Sequence, residues 1–151
     1  MQHPGFEIYA GNADLVRAAC AADRLEDLRA GKVAEDLVHF PQPFLAGDLL
    51  LMEKAIAAIA GSSVPLEITR LEAAPGLFVD QIDVPWVHAV ASVGEDRAAD
   101  LQMEWIRAYF DEEDRLPDWA DCDRTPILAQ LISLCREASD RGLDVIHVWL
   151  L

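Results

Sequence analysis

The stretch that most constrains the fold is Arg124 to Leu151, RTPILAQLISLCREASDRGLDVIHVWLL. Its spacing predicts one helix, a tight stop and one strand. Thr125 is a suitable N-cap, and Pro126 fits the first turn, where its missing N–H costs nothing. Ile127, Leu128, Leu131, Ile132, Cys135 and Ala138 recur at helical spacing and make one apolar face. Arg141 suits the last turn, and Gly142 supplies a left-handed stop. The run Val145 to Leu151 is apolar on both faces apart from His147. Such a run belongs to a strand covered on both sides, so it is expected near the centre of a sheet.

The rest of the chain supplies partners for that unit. Phe6 to Ala10 alternates between Gly5 and Gly11 and reads as a short strand. Asn12 or Asp14 can cap a helix with Leu15, Val16, Ala19 and Cys20 inward. A short helix from Asp23 with Leu25 and Leu28 inward closes at Gly31, and a third is expected over Val33 to Phe40, ended by Pro41 and Pro43. Asp48 is expected to cap the next helix, whose stripe is Leu49, Met52, Ala55, Ile56 and Ile59, stopped by Gly61 before a Ser62–Ser63 turn. Val64 to Leu71 reads as a half-buried strand or an extended loop, and Pro75–Gly76 as a turn. Leu77 to Val84 and Pro85 to Val93 are rich in strand formers, with Pro85 marking an edge, a bulge or a break between them. Gly94–Glu95–Asp96 opens a helix with Ala98, Leu101, Trp105, Ile106 and Tyr109 inward. The expected class is α+β: one helix-rich domain over residues 1–151, with a small mixed sheet that includes the C-terminal strand.

Charge narrows the function classes. The net charge is −15, and it is unevenly spread: residues 1–75 carry 11 acids and 6 bases, residues 76–151 carry 16 and 6. Nucleic acid and anionic membranes would be repelled, whereas a basic protein would be attracted. No uninterrupted apolar run approaches ~18 residues, so no membrane span is expected. The stretch MQHPGFEIYAG has neither a basic start nor an apolar run, so no secretory signal is read there. Cys20, Cys122 and Cys135 share no metal or redox spacing, which suits free thiols in a reducing cytoplasm.

The strongest local feature is the acidic connector DEEDRLPDWADCD. Asp111, Glu112, Glu113, Asp114, Asp118, Asp121 and Asp123 stand there against one base, Arg115. A calcium loop of the EF-hand kind needs oxygen ligands at positions 1, 3 and 5 and glycine at 6. From Asp111 those last two positions are Arg115 and Leu116, and from Asp118 the third is Ala120, so the motif fails. The connector is then either a solvated loop or a partner surface. Leu116 and Trp119 within it are either folded onto the core or held out as contacts, and an exposed Trp119 in an acidic rim would suit a basic protein.

Catalytic motifs are absent from the sequence. There is no G-x-S-x-G and no glycine-rich phosphate loop, and Cys122 lies between two acids that favour the protonated thiol. Trp86, Trp105 and Trp149 read as core residues. His3, His39, His88 and His147 share no metal-ligand spacing, so no metal and no cofactor is expected. His88 and His147 both fall in expected strands, where neighbours such as Asp80 or Asp83 could form a carboxylate–imidazole pair.

Three readings follow. The leading one is a non-catalytic, bacterial-type acidic protein-binding module, an immunity- or antitoxin-like inhibitor of a basic partner being its concrete form. Its surface would be Asp111, Glu112, Glu113, Asp114, Leu116, Asp118, Trp119, Asp121 and Asp123. The second is a small α+β enzyme or ligand-binding domain with a pocket near His88, involving Asp80, Asp83 and His147. The third is a homo-oligomeric scaffold.

Overall fold

The computed structural model describes residues 5–40, 46–61 and 64–150; His3, Pro41, Pro43, the Ser62–Ser63 turn and Leu151 lie outside them. Five strands, β1 (Gly5–Gly11), β2 (Asp36–Phe40), β3 (Ile68–Ala74), β4 (Leu77–Ile82) and β5 (Asp144–Leu150), form one sheet in the order β2-β1-β5-β4-β3. Among the described residues six α-helices surround it: α1 (Ala13–Ala21), α2 (Leu25–Arg29), α3 (Ala46–Ala60), α4 (Val84–Val93), α5 (Ala98–Glu113) and α6 (Thr125–Arg141). The class is α+β. All four strand pairings are antiparallel, so the sheet is uniform where a mixed one was expected.

The strand β5 sits at the centre, between β1 and β4, and its two faces meet two separate cores. Val145 faces the larger core, where Phe6, Ile8 and Ala10 of β1 meet α3, α4, α5 and α6. Ile146 and Val148 face the smaller core, with Tyr9, Val16, Cys20, Leu25 and Leu28 on β1, α1 and α2. A strand apolar on both faces is what such a position demands. Gly142 has φ 66°, and its N–H returns to the Ala138 carbonyl, so the helix stops in the left-handed conformation that glycine tolerates best. Thr125 is the first helical residue and not the cap; its N–H donates to Asp123 Oδ1 at 2.9 Å.

Two elements differ in kind from expectation. Val84 to Val93 is helix α4, not a strand: Trp86, Val87, Val90 and Val93 are buried at helical spacing, and Pro85 sits in the first turn. Its β-branched composition suggested a strand, but the apolar period decides the structure. Asp36 to Phe40 is strand β2, not helix: Val38 and Phe40 point to the large core while Leu37 packs on the small one. In addition, α5 extends through Glu113, so the first three acids of the connector are helical and Asp114 ends the helix at φ 53°.

Each face of the sheet also buries one carboxylate paired with a partly exposed arginine. On the small-core face Glu7 is 2% exposed, and Arg29 Nε donates to its Oε1 at 2.5 Å. A side chain at Gly5 would collide with that Arg29 guanidinium. Burial, then the charge of Glu7, pushes the neighbouring Tyr9 phenol well above its ordinary range. On the large-core face the antiparallel register lines up Ile8, His147, Asp80 and Arg70 across four strands.

Candidate functional site

The connector folds back on itself from Asp114 to Arg124. Trp119 is 7% exposed, and its ring lies 4.6 Å from that of Trp105 and 5.8 Å, edge-on, from that of Tyr109. The tryptophan therefore anchors the connector to the core, whereas Leu116 is held out at 57% exposure. Asp111, Glu112, Glu113, Asp114, Asp118, Asp121 and Asp123 are all exposed. Some have local partners. Lys54 of α3 pairs with Glu112, and Arg115 reaches Glu113 at 2.9 Å and Asp118 at 3.7 Å. Asp123 is occupied in capping α6, and its hydrogen bond from Thr125 holds the carboxyl below its ordinary range. Asp111, Asp114 and Asp121 have no base in ion-pair reach among the described residues.

Behind this rim lies a groove of about 400 Å³. The start of α3 (Asp48), the end of α5 (Tyr109), the connector (Arg115, Pro117, Asp118, Trp119, Cys122) and the start of α6 (Arg124) line it. Its size falls in the range of ordinary small-ligand sites, roughly 300–1,000 Å³. Two arginines share the groove in different states. Arg115 is ion-paired, as above. Arg124 has its backbone N–H bonded to Gln102, but its buried Nε has no hydrogen-bond partner, and no ion pair of its guanidinium is found among the described residues. Eight other arginines each stand within ion-pair distance of a carboxylate. A buried N–H left unmet costs about 1–3 kcal/mol; Trp86 Nε1 is in the same state, so what sets Arg124 apart is that its side chain carries a permanent charge.

The residues of the ligand-binding expectation separate into three places. Asp80 and His147 are indeed cross-strand neighbours, both fully buried. Asp80 accepts from Arg70 Nε at 2.7 Å, from a terminal nitrogen of Arg70 at 3.2 Å and from Trp149 Nε1 at 3.1 Å. Arg70 also lies over the Phe78 ring at 4.6 Å, and Phe78 stacks on Trp149 at 4.1 Å. A carboxylate with three donors has little capacity left for a ligand, so Asp80 is engaged within the protein. Asp83 is at the start of α4, where its Oδ1 accepts from the Glu67 N–H at 2.9 Å.

His88 is on α4, not on a strand beside His147. It is exposed over a cleft of about 120 Å³ between α4, α6 and the start of β5, with Gln81, Ser139 and Asp144. In that cleft Asp144 is engaged by the Ala13 N–H and by Gln81, while the buried Ser139 Oγ has no hydrogen-bond partner.

Among the described residues no group of three or more His, Cys, Asp and Glu is placed to hold a metal ion. All three cysteines are free thiols; Cys20 and Cys135 are buried and Cys122 is exposed. Burial pushes the Cys135 thiol up to about 12. No helix among the described residues is long and apolar enough to cross a membrane. Comparison with protein families, with curated proteins and with solved structures gives no match.

Arg70, Arg124 and Gln102 were not singled out in the sequence. Arg70 carries a faint signal, since it shares a face with Ile68, two residues away in a strand-like run. Arg124 carries none: being unpaired is a property of the folded surroundings.

Proposed function

We propose that the chain is a protein-binding module whose acidic connector meets a basic partner. The observation that carries this reading is the exposed set of seven carboxylates between Asp111 and Asp123, answered among the described residues by Arg115 and Lys54 alone. The surplus charge stands on a rigid base, because Trp119 ties the connector to Trp105 and Tyr109. Leu116 at 57% exposure adds an apolar contact within the acidic rim. Inhibition by covering a basic partner's working surface, as immunity proteins and antitoxins do, is the concrete form of this proposal. A cytoplasmic setting belongs to the same proposal, supported by three free thiols.

The test is capture of a basic protein from source-cell extract by the immobilised chain. Reversal of Asp111, Glu113, Asp118 and Asp121 to lysine should lower retention at least ~10-fold, as should added salt. Retention unchanged by the reversal would sink the acidic-rim reading.

A second reading rests on the unbonded Ser139 Oγ in the His88 cleft: a small polar ligand bound there. The cleft is only about 120 Å³, below the ~300 Å³ of common ligand sites, so this reading ranks below the first. Fragment titration followed by NMR would check it. Saturable shifts at His88 that vanish in Ser139→Ala support it, and shifts confined to other surfaces reject it.

A further inference from the structure

Arg124 is the unusual group of the molecule. Its Nε is buried without a partner, and the side chain forms part of the wall of the 400 Å³ groove. The side chain as a whole is half-buried, so its permanent charge and its unmet Nε–H remain open to an anionic acceptor that enters the groove. The rest of the groove says what such an anion carries. Trp119, Tyr109 and Pro117 give it flat, apolar walls. The other cation, Arg115, is already held by Glu113 and Asp118.

We infer that the groove is a binding site for a carboxylate carried on a flat apolar body, with Arg124 as the anchor and Trp119 and Tyr109 as the walls. The fork of a guanidinium matches two carboxylate oxygens, and it matches phosphate equally well. Charge decides between them. In a chain of net charge −15 a dianionic phosphate meets about twice the long-range repulsion of a monoanionic carboxylate. The aromatic walls favour an organic body over an inorganic ion. The N-terminus of α6 adds little of its own, because the Thr125 N–H is already taken by Asp123 and Pro126 has none. The site shares Asp118 and Trp119 with the rim, while Asp111, Glu113 and Asp121 do not line the groove.

The experiment is an NMR titration of the isolated chain with sodium benzoate, read at the Arg124 Nε–H and the Trp119 indole N–H. Benzyl alcohol, inorganic phosphate and sodium chloride are the comparison arms. The expected result is a saturable shift of both signals with benzoate, and at least ~10-fold weaker binding of benzyl alcohol and of phosphate, one charge-assisted contact being worth about that factor. Arg124→Gln should weaken benzoate by the same factor, and Arg124→Lys, which keeps the charge and loses the fork, by less. Any of three results overturns the proposal: no saturable shift, benzyl alcohol binding as well as benzoate, or benzoate binding unchanged in Arg124→Gln. Phosphate binding as tightly as benzoate overturns the choice of carboxylate. Because Asp118 belongs to both surfaces, a capture variant reversing Asp111, Glu113 and Asp121 alone leaves the groove lining intact and keeps the two results separable.

Discussion

Arg70 and Arg124 are placed in opposite ways. Arg70, on the edge strand β3, has a side chain 46% exposed, yet it makes two hydrogen bonds to Asp80 and covers the Phe78 ring. Arg124, at the start of α6, is more enclosed and has an Nε with no partner. The first arginine completes a buried network, and its hydrogen bonds to Asp80 raise its own pKa further. The second is left incomplete beside a groove. Satisfied charges of the Arg70 kind act on stability, because their removal strands a buried partner. Unsatisfied charges of the Arg124 kind lower stability and stand ready for something outside the chain.

The largest expected effect breaks the satisfied side. Arg70→Met leaves the fully buried Asp80 with Trp149 as its remaining donor, and should destabilise by about 3 kcal/mol, the low end for a broken buried pair because Arg70 is partly open to water. Urea unfolding measures it, and a loss below about 1 kcal/mol would place this pair with ordinary surface ion pairs. Trp119→Ala should cost about 3 kcal/mol by opening a cavity beside Trp105 and Tyr109, and it should abolish the benzoate site as well. Loss of stability with the site intact would mean that the groove does not depend on its aromatic wall.

A smaller effect concerns Asp123. Its folded pKa lies below its unfolded one, so its stabilising contribution is present above the unfolded value and disappears as pH falls through the folded value. Asp123→Asn should therefore unfold less steeply on the acid side, and an unchanged acid limb would rule out its capping role. Arg124→Gln removes the unmet Nε–H and should leave stability unchanged or raise it by about 1 kcal/mol, the low end of such a cost because the side chain is half-open to water. Last, the fourfold reversal of Asp111, Glu113, Asp118 and Asp121 should leave the thermal midpoint within about 4 °C while it removes partner binding. A collapse of stability in that variant would turn the connector from a presented surface into a structural element.

These contrasts also explain what the sequence could reveal. The unit from Thr125 to β5 was legible because its signals are local: a proline at the start, an apolar period, Gly142 at the stop and a doubly apolar strand. The strand at Phe6 to Ala10 was legible for the same reason. The segment Val84 to Val93 misled because valines favour strands one by one, whereas its burial depends on spacing. The segment around Val38 misled because a five-residue strand is too short for its period to stand out. The acidic connector was visible as composition. Its anchoring by Trp119 depended on Trp105 and Tyr109, supplied by another helix. Beyond the faint strand pattern at Arg70, nothing along the chain distinguishes it from Arg124; the difference arises when β3, β4 and β5 come into register.

The pairing of β1 with β5 bears on how this molecule reaches its folded state. It joins residues 5–11 to residues 144–150 at the middle of the sheet, and both cores are built against that pair. Only β3 with β4 is a hairpin of neighbouring segments, so it can form early while the central pair waits for a long loop to close. Folding should accordingly be slow for a chain this rich in helix, in milliseconds to seconds rather than microseconds, as for other folds dominated by distant contacts. A ribosome-bound nascent chain lacking β5 would hold its helices without a sheet to cover, exposing the apolar faces of β1 and α6 together.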